Sequence, residues 1–246
     1  MHKQKFALVT GANGGIGQAI LIALAKSGVH LVAHARQETP EFKALLADIA
    51  NRYGVQVMAV YFDMTDSEAM KAAVRGLMKD KIPLEILVNC AAKAHGGLFQ
   101  MTSMEAIKAV FDVNLFAQMT LTQLLLRPMM KQGKGSIINI ASIAGIDLKQ
   151  GNCAYGVSKA ALMAFTKTLA SEAGVYGVRV NAIAPGLTDT AMAALMQDSA
   201  SQEMIHASAM KRLAQPEEIA NTVAFLASDN ATFINGQIIR VDGGAA

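Results

Sequence analysis

The segment Tyr155-Gly156-Val157-Ser158-Lys159 sets a phenol and an ammonium four residues apart at the start of a helical stretch. Residues i and i+4 share one face of a helix, so the two groups lie close together. A free phenol titrates at about 10, too high for a base at neutral pH, and a neighbouring cation favours its ionised form. The pair is therefore a candidate proton donor to a carbonyl and proton acceptor from an alcohol. Ser142 stands just past an apolar run that reads as a strand, where its hydroxyl could hold a substrate oxygen beside Tyr155. Taken alone, Y-x-x-x-K arises readily by chance and Ser142 could simply cap a turn. Context decides their weight.

Part of that context is Thr10-Gly11-Ala12-Asn13-Gly14-Gly15-Ile16-Gly17, which follows the first apolar run and opens a helix. Glycines there let the backbone turn tightly and approach a pyrophosphate, while the free N–H groups and positive end of the helix face the phosphates. The spacing is G-x-x-x-G-x-G rather than G-x-G-x-x-G, and a plain tight turn is the alternative. Its position after a first strand favours a dinucleotide. At the end of the second strand, where an acid would grip a ribose 2′-hydroxyl, the chain reads His34-Ala35-Arg36-Gln37. Arg36 removes repulsion against a 2′-phosphate and offers it a fork of donors. This favours NADP(H) over NAD(H), the alternative being a solvated loop arginine.

The elements that must position these groups follow from hydrophobic periodicity. Phe6–Thr10, Val29–His34, Val55–Phe62, Leu84–Asn89, Ser136–Ala141, Val178–Ile183 and Gln237–Val241 read as strands. Most are continuously apolar, as suits strands covered on both faces of a parallel sheet. Between them, Ile16–Ser27, Pro40–Tyr53, Asp66–Lys79, Ser103–Lys131, Asn152–Gly174 and Pro216–Ser228 read as amphipathic helices. This alternation predicts an α/β, Rossmann-type, doubly wound fold: a mainly parallel seven-stranded sheet with helices on both faces. No linker or repeat divides residues 1–246, so a single domain is expected, with the strandless stretch at about 187–215 as a substrate lid.

Composition narrows the function classes. The 246 residues are 52% hydrophobic and 17% charged, with a net charge of +3 and no block of like charge, which argues against nucleic acid. Cys90 and Cys153 form neither a metal-spaced pair nor a disulfide framework, so no metal is expected and a reducing compartment suits the chain. The opening MHKQKFALVTG enters a strand almost at once, and LTQLLLRPMMK is interrupted by Gln123, Arg127 and Pro128. The expectation is a cytoplasmic protein with no signal peptide and no membrane span.

Taken together, these motifs resemble the short-chain dehydrogenase/reductases over essentially the whole chain. The matching residues are TGANGGIG, Asp63, Asn89-Cys90-Ala91-Ala92, Val113-Asn114, Ser142, Tyr155, Lys159 and Asn181-Ala182-Ile183-Ala184-Pro185-Gly186, in order. The resemblance implies a catalytic tetrad. Asn114 would interrupt its helix and hold a water linking Lys159 to solvent, Ser142 would orient the carbonyl, and Tyr155 would deliver the proton. Lys159 would lower the Tyr155 pKa and bind the nicotinamide ribose. Gly11, Asn13, Gly14, Gly15, Ile16 and Gly17 would cradle the pyrophosphate, Asp63 and Met64 would contact adenine, and Asn89 and Ala91 would line a ribose. Pro185, Gly186 and Thr188 would face the nicotinamide, with Thr190 touching carboxamide or pyrophosphate.

Within the family the pattern looks most like the 3-oxoacyl-(acyl-carrier-protein) reductases of fatty acid biosynthesis. That implies an acyl-thioester substrate presented by acyl carrier protein, with a sugar, steroid or other secondary alcohol as the alternative, or a non-catalytic dinucleotide sensor. Three departures stand out. Cys90 and Ala92 replace the second and fourth residues of the usual Asn-Asn-Ala-Gly, a change expected to touch no proton carrier. Gly14 stands where many NADP-dependent members carry a basic residue. Gly133 and Ser171 occupy places where those reductases often present arginines, with Lys131, Lys134 and Lys167 nearby in sequence. The Tyr155 helix is apolar on more than one face, which with the resemblance implies a homo-oligomer, dimer or tetramer. Met192, Met196, Met204 and Met210 in the lid could mould around an apolar substrate or serve ordinary packing.

Overall fold

The computed structural model describes residues 5–195 and 198–245. Its strands are β1 (Phe6–Val9), β2 (His30–Ala35), β3 (Val57–Tyr61), β4 (Leu84–Asn89), β5 (Gly135–Ile140), β6 (Val178–Pro185) and β7 (Ile238–Val241). They form one sheet in the order β3-β2-β1-β4-β5-β6-β7, and every pairing is parallel. The strand order reverses between β1 and β4, where the carboxyl ends of such a sheet open a crevice. β1, β4 and β5 are buried throughout, whereas the edge strands β3 and β7 are only partly covered.

Successive strand residues point to opposite faces, and each face has its own core. Val9, Leu31, Val88 and Ile138 pack under α1 (Gly15–Lys26), α2 (Pro40–Tyr53) and α9 (Pro216–Ala227). Leu8, Val32, Leu87 and Ile137 pack under α3 (Ser67–Lys79), α5 (Ala117–Gln132) and α7 (Cys153–Gly174). The helix ends are written locally. Thr39 Oγ1 accepts from Phe42 N at 3.2 Å ahead of Pro40, and Asp66 caps the α3 amides of Glu68 and Ala69.

The single helix expected over Ser103–Lys131 is three pieces: α4 (Met104–Phe111), a wide π-helical turn over Asp112–Phe116, and α5. As one 29-residue unit, Met104–Gln132 is long and apolar enough to cross a membrane by length and composition. The expectation of no membrane span took Leu121–Lys131 as the strongest candidate, and the helix of which it is part is longer than that segment. The helix is nevertheless laid on the sheet: Leu121, Leu125 and Met129 are fully buried, as are the polar Asn114, Gln118 and Thr122. Gln118 Nε2 donates to Ala91 O at 2.8 Å and Thr122 Oγ1 accepts from Asn89 Nδ2 at 3.1 Å. Its buried face packs on β4 and β5 through these residues, so this helix forms part of the protein core.

Ser142 precedes the short α6 (Ala144–Asp147), whose backbone touches α7. A Cβ on Gly156 would stand 2.6 Å from Ala144 O, so glycine permits the contact that sets Ser142 against Tyr155. Among its described residues, the stretch between β6 and α9 holds no strand, as expected. It carries a 3-10 turn over Ala193–Leu195 and α8 (Asp198–Ala207), neither foreseen, and Met196 lies outside the described residues. Bonds from Ala214 N to Leu187 O (3.0 Å) and Asp189 N to Ala214 O (2.9 Å) pin its two ends together.

Leu121→Ala tests the placement of the long helix. Loss of a fully buried leucine is expected to cost about 2–5 kcal/mol in denaturant unfolding. A cost below about 0.5 kcal/mol, typical of surface positions, would contradict the packing described.

Candidate active site

The crevice is built by holding the end of β4 onto the turn after β1. Thr10 Oγ1 accepts from Cys90 N at 2.9 Å and from Ala91 N at 3.0 Å. Gly11 has φ +61°, and a Cβ there would lie 2.8 Å from Ala91 Cα. A Cβ on Gly17 would lie 2.3 Å from Gly11 O, so only glycine lets α1 start this close to the turn. One on Gly15 would meet Thr190 Cγ2 at 2.9 Å, which lays Thr190 over the glycine turn. Gly14 and Asn13 are exposed, and a Cβ on Gly14 meets only ordinary contact. The first bond of α1 runs from Gln18 N to Gly14 O, leaving the amides of Gly15, Ile16 and Gly17 at its positive end. This cradle fits the phosphates of a dinucleotide.

Around the cradle, Arg36 is largely exposed and its Nε lies 3.4 Å from Asp63 Oδ2. Hydrogen bonds from Thr65 Oγ1 (2.6 Å) and Thr65 N (2.8 Å) to Asp63 Oδ1 hold that carboxyl below its ordinary range, with help from Arg36. The Met64 side chain is buried in the core, so only its backbone could meet an adenine. Asn89 is likewise turned inward: Nδ2 donates to Asn139 Oδ1 at 2.8 Å and to Thr122, within a polar network continuing to Thr166. A ribose at this strand end would meet the backbone of Asn89 and Ala91 rather than the asparagine amide. Pro185 O accepts from Ile143 N at 3.0 Å, and Gly186 lies against Asp242. Thr188 is buried and bonds Gly186 O at 3.1 Å, and Thr190 Oγ1 caps the Ala193 turn at 3.4 Å.

The four proposed chemical residues converge, but not in the expected electrostatic arrangement. Lys159 is fully buried; its Nζ lies 5.7 Å from the Tyr155 ring centroid and donates to Ile140 O at 2.7 Å. Burial lowers its pKa to about 8. The Tyr155 phenol is held above its ordinary value, chiefly by burial, with the Ser142 hydroxyl as the hydrogen-bond partner that works in the opposite direction. The expected lowering of the phenol by Lys159 is therefore corrected: the ammonium is aimed at a backbone carbonyl, and desolvation dominates. Burial pushes the nearby Cys90 thiol up to about 11, so it is uncharged at neutral pH.

Asn114 sits in the π turn, as the expected helix interruption requires. Its Oδ1 accepts from Lys93 N at 2.7 Å, and its Nδ2 donates to Lys93 O (3.0 Å) and Ser158 Oγ (3.1 Å). Ser158 in turn donates to Tyr155 O at 2.7 Å, so the carboxamide ties the loop after β4 to the start of α7. Thr10, Ser158 and the backbone of Lys93 were not singled out in the sequence. Thr10 alone had a signal there, as the residue leading into the glycines.

With this geometry in view, comparison with known proteins identifies the family. A family model described as enoyl-(acyl carrier protein) reductase matches residues 11–246. The 3-oxoacyl-[acyl-carrier-protein] reductase FabG of Aquifex aeolicus is 37% identical, covering 98% of this chain and 96% of its own. Nodulation protein G of Azospirillum brasilense is also 37% identical, with 98% of each chain covered. Two solved structures superpose with a TM-score of 0.91. One is a putative NAD(P) dependent gluconate 5-dehydrogenase from Beutenbergia cavernae with bound NADP, 35% identical over 98% of this chain and 96% of that one. The other is L-sorbose reductase from Gluconobacter frateurii complexed with NADPH and L-sorbose, 33% identical over 99% and 97%. The chain belongs to the short-chain dehydrogenase/reductase family and is an oxidoreductase of that family.

The buried ammonium makes a signed forecast. Below pH 8 Lys159 is charged both folded and unfolded, and the fold bears the desolvation cost. As pH rises from about 8 towards 10.5 the folded lysine discharges first, the unfolded state binds more protons, and stability rises. The parent should therefore gain on Lys159→Met across that window, by up to about 3 kcal/mol, measured by denaturant unfolding. A constant difference would show that the ammonium is not desolvated.

Proposed function

We propose that this enzyme uses NADPH to reduce a ketone to a secondary alcohol, with a 3-oxoacyl thioester as the leading substrate. The observation that carries it is the meeting of Ser142, Tyr155 and Lys159 at the carboxyl end of the sheet: burial favours the neutral phenol, the Ser142 hydroxyl is its hydrogen-bond partner, and Lys159 Nζ lies 5.7 Å from its ring. A neutral phenol is a standing proton donor to a carbonyl oxygen, and the reverse reaction draws on its phenolate. Ser142 holds the carbonyl oxygen. As Tyr155 gives up its proton, the Ser142 hydroxyl and the Lys159 charge stabilise the phenolate left behind. Asn114 positions the start of α7, and the spare lone pair on its Oδ1 is where a relay from Lys159 would attach.

The same residues divide a dinucleotide among them. Gly11, Asn13, Gly14, Gly15, Ile16 and Gly17 hold the pyrophosphate, and Arg36 takes the 2′-phosphate in exchange for Asp63. Asp63 and the Met64 backbone flank adenine, and the Asn89 and Ala91 backbone flanks a ribose. Tyr155 and Lys159 take the nicotinamide ribose, with Pro185, Gly186, Thr188 and Thr190 about the nicotinamide. Bound NADPH supplies the hydride.

A cavity of about 330 Å³ beside the 187–215 segment is lined by Ile143, Leu187, Met204, Ile205 and Met210 on one hand and by Arg212, Glu218, Arg240 and Asp242 on the other. Its thioethers and branched aliphatics suit an acyl chain and its charged side chains a polar one, so the thioester reading rests on the reductase relatives, with the segment as the lid. The gluconate and sorbose enzymes among the structural relatives favour a second reading, a polyol or sugar ketone. Phe99, Met101, Met104 and Phe116 are exposed apolar side chains that a second copy of the chain would cover in a homo-oligomer. Presentation by acyl carrier protein, and a cytoplasmic setting consistent with two unpaired cysteines, complete the proposal.

Tyr155→Phe should bind NADPH as the parent does while ketone reduction falls about 10²- to 10⁴-fold; equal turnover would remove the phenol from the mechanism. Arg36→Ala should cut the preference for NADPH over NADH by about tenfold or more, the worth of one charged hydrogen bond. An unchanged preference would place the 2′-phosphate elsewhere. Acetoacetyl thioesters set against a panel of sugar ketones distinguish the two substrate readings.

A further inference from the structure

We infer that His34 is a positioning residue for the dinucleotide, holding the glycine turn in its binding shape only while its imidazole is neutral. This rests on the dinucleotide reading above. His34 is the fifth residue of β2 and is buried, with its ring 4.0 Å from that of Phe62. Nε2 lies 2.9 Å from Phe62 O, and Gly11 N donates to Nδ1 at 3.3 Å. A carbonyl can only accept and an amide N–H can only donate. The proton must therefore sit on Nε2, and Nδ1 must be bare.

The main chain of the same residue adds a third tie, from Ala12 N to His34 O at 2.8 Å. Residue 34 thus engages the first two amides of the turn and leaves the later ones, at the start of α1, for phosphate. Through Phe62 it also fixes the backbone next to Asp63, the adenine end of the proposed site. One side chain joins the pyrophosphate cradle to the adenine end of the groove.

Protonation would turn Nδ1 from acceptor to donor and set two N–H groups against each other at Gly11. The turn could satisfy Gly11 only by moving. The charged group acting on the ring is Asp63, just beyond Phe62 on the β3 side, which is itself paired with Arg36, the residue after β2. From the glycine turn the ring meets backbone amides. Burial opposes the charged ring and holds its pKa down, outweighing the Phe62 carbonyl and Asp63, so the neutral latch is the form present at neutral pH. Affinity that depends on it is present above the imidazole range and is lost as pH falls through the folded value.

The test is calorimetric binding of NADP+ to the parent, His34→Asn and His34→Phe. Asparagine keeps an acceptor near Nδ1 but cannot titrate, and phenylalanine keeps the ring but not the acceptor. At about pH 7.5 the Phe variant should bind about tenfold more weakly, the worth of one buried hydrogen bond, with Asn recovering most of the loss. The parent-to-Asn affinity ratio should fall as pH is lowered from about 7 to 5, across the imidazole range. Titration of the nucleotide's own phosphate is common to both proteins and cancels. Equal affinities for parent and Phe variant, or a ratio unchanged or rising in acid, would overturn the inference. Should neither variant fold, nitrogen NMR of the parent decides. It must show Nδ1 bare at neutral pH and the Gly11 amide shifting in step with imidazole protonation; an indifferent Gly11 amide overturns the latch. A parent that binds neither NADP+ nor NAD+ refutes the dinucleotide reading instead, and the NMR still tests the latch.

Discussion

Burial acts in opposite directions on two neighbouring ionisable groups, and the chemistry of the site depends on that opposition. It keeps the Tyr155 phenol protonated and draws the Lys159 pKa down to about 8, because each loses its charged form most readily when stripped of water. At neutral pH the outcome is a proton donor in front of a cation. Neither group has a carboxylate among the influences that shift it, so the ammonium is held by a carbonyl, Ile140 O, at 2.7 Å. Its positive charge stays available for a phenolate formed during reaction.

The rest of the fold serves to build that crevice. The strand order turns back between β1 and β4, and Thr10 and Gly11 clamp the two strand ends together at their carboxyl side. Short contacts through Gly156 bring α6 onto α7, which sets Ser142 opposite Tyr155. The π turn at Asn114 widens the long helix where the carboxamide must reach both Lys93 and Ser158. These are backbone approaches that larger side chains would block. They explain why small residues gather on the carboxyl side of the sheet.

Much of this was legible in the sequence because the signals are periodic or local. Continuous Val/Ile/Leu runs gave all seven strands, and Pro40, Asp66 and Pro216 marked helix starts. Proximity of Tyr155 and Lys159 followed from their spacing, but its consequence did not. Spacing of i and i+4 says nothing about desolvation, nor that Nζ turns to Ile140 O. Asn89 and Met64 were assigned to a ligand from their places in a motif, although their side chains serve the interior. The role of His34 depends on a partner 23 residues away in the chain, and no local pattern reports it. Helix α8 lies in the segment expected to be a lid, whose methionines were weighed for substrate contact or packing and not as a helix face.

The most direct test of the account is carbon NMR of the Tyr155 ring, labelled at the hydroxyl-bearing carbon and identified by its absence in a Tyr155 substitution. A standing donor requires that this resonance show no titration between about pH 6 and 9, with ionisation setting in only above the ordinary phenol value of about 10. A clear titration step within that window would mean that the neighbouring cation, rather than desolvation, governs the phenol, and would contradict the account.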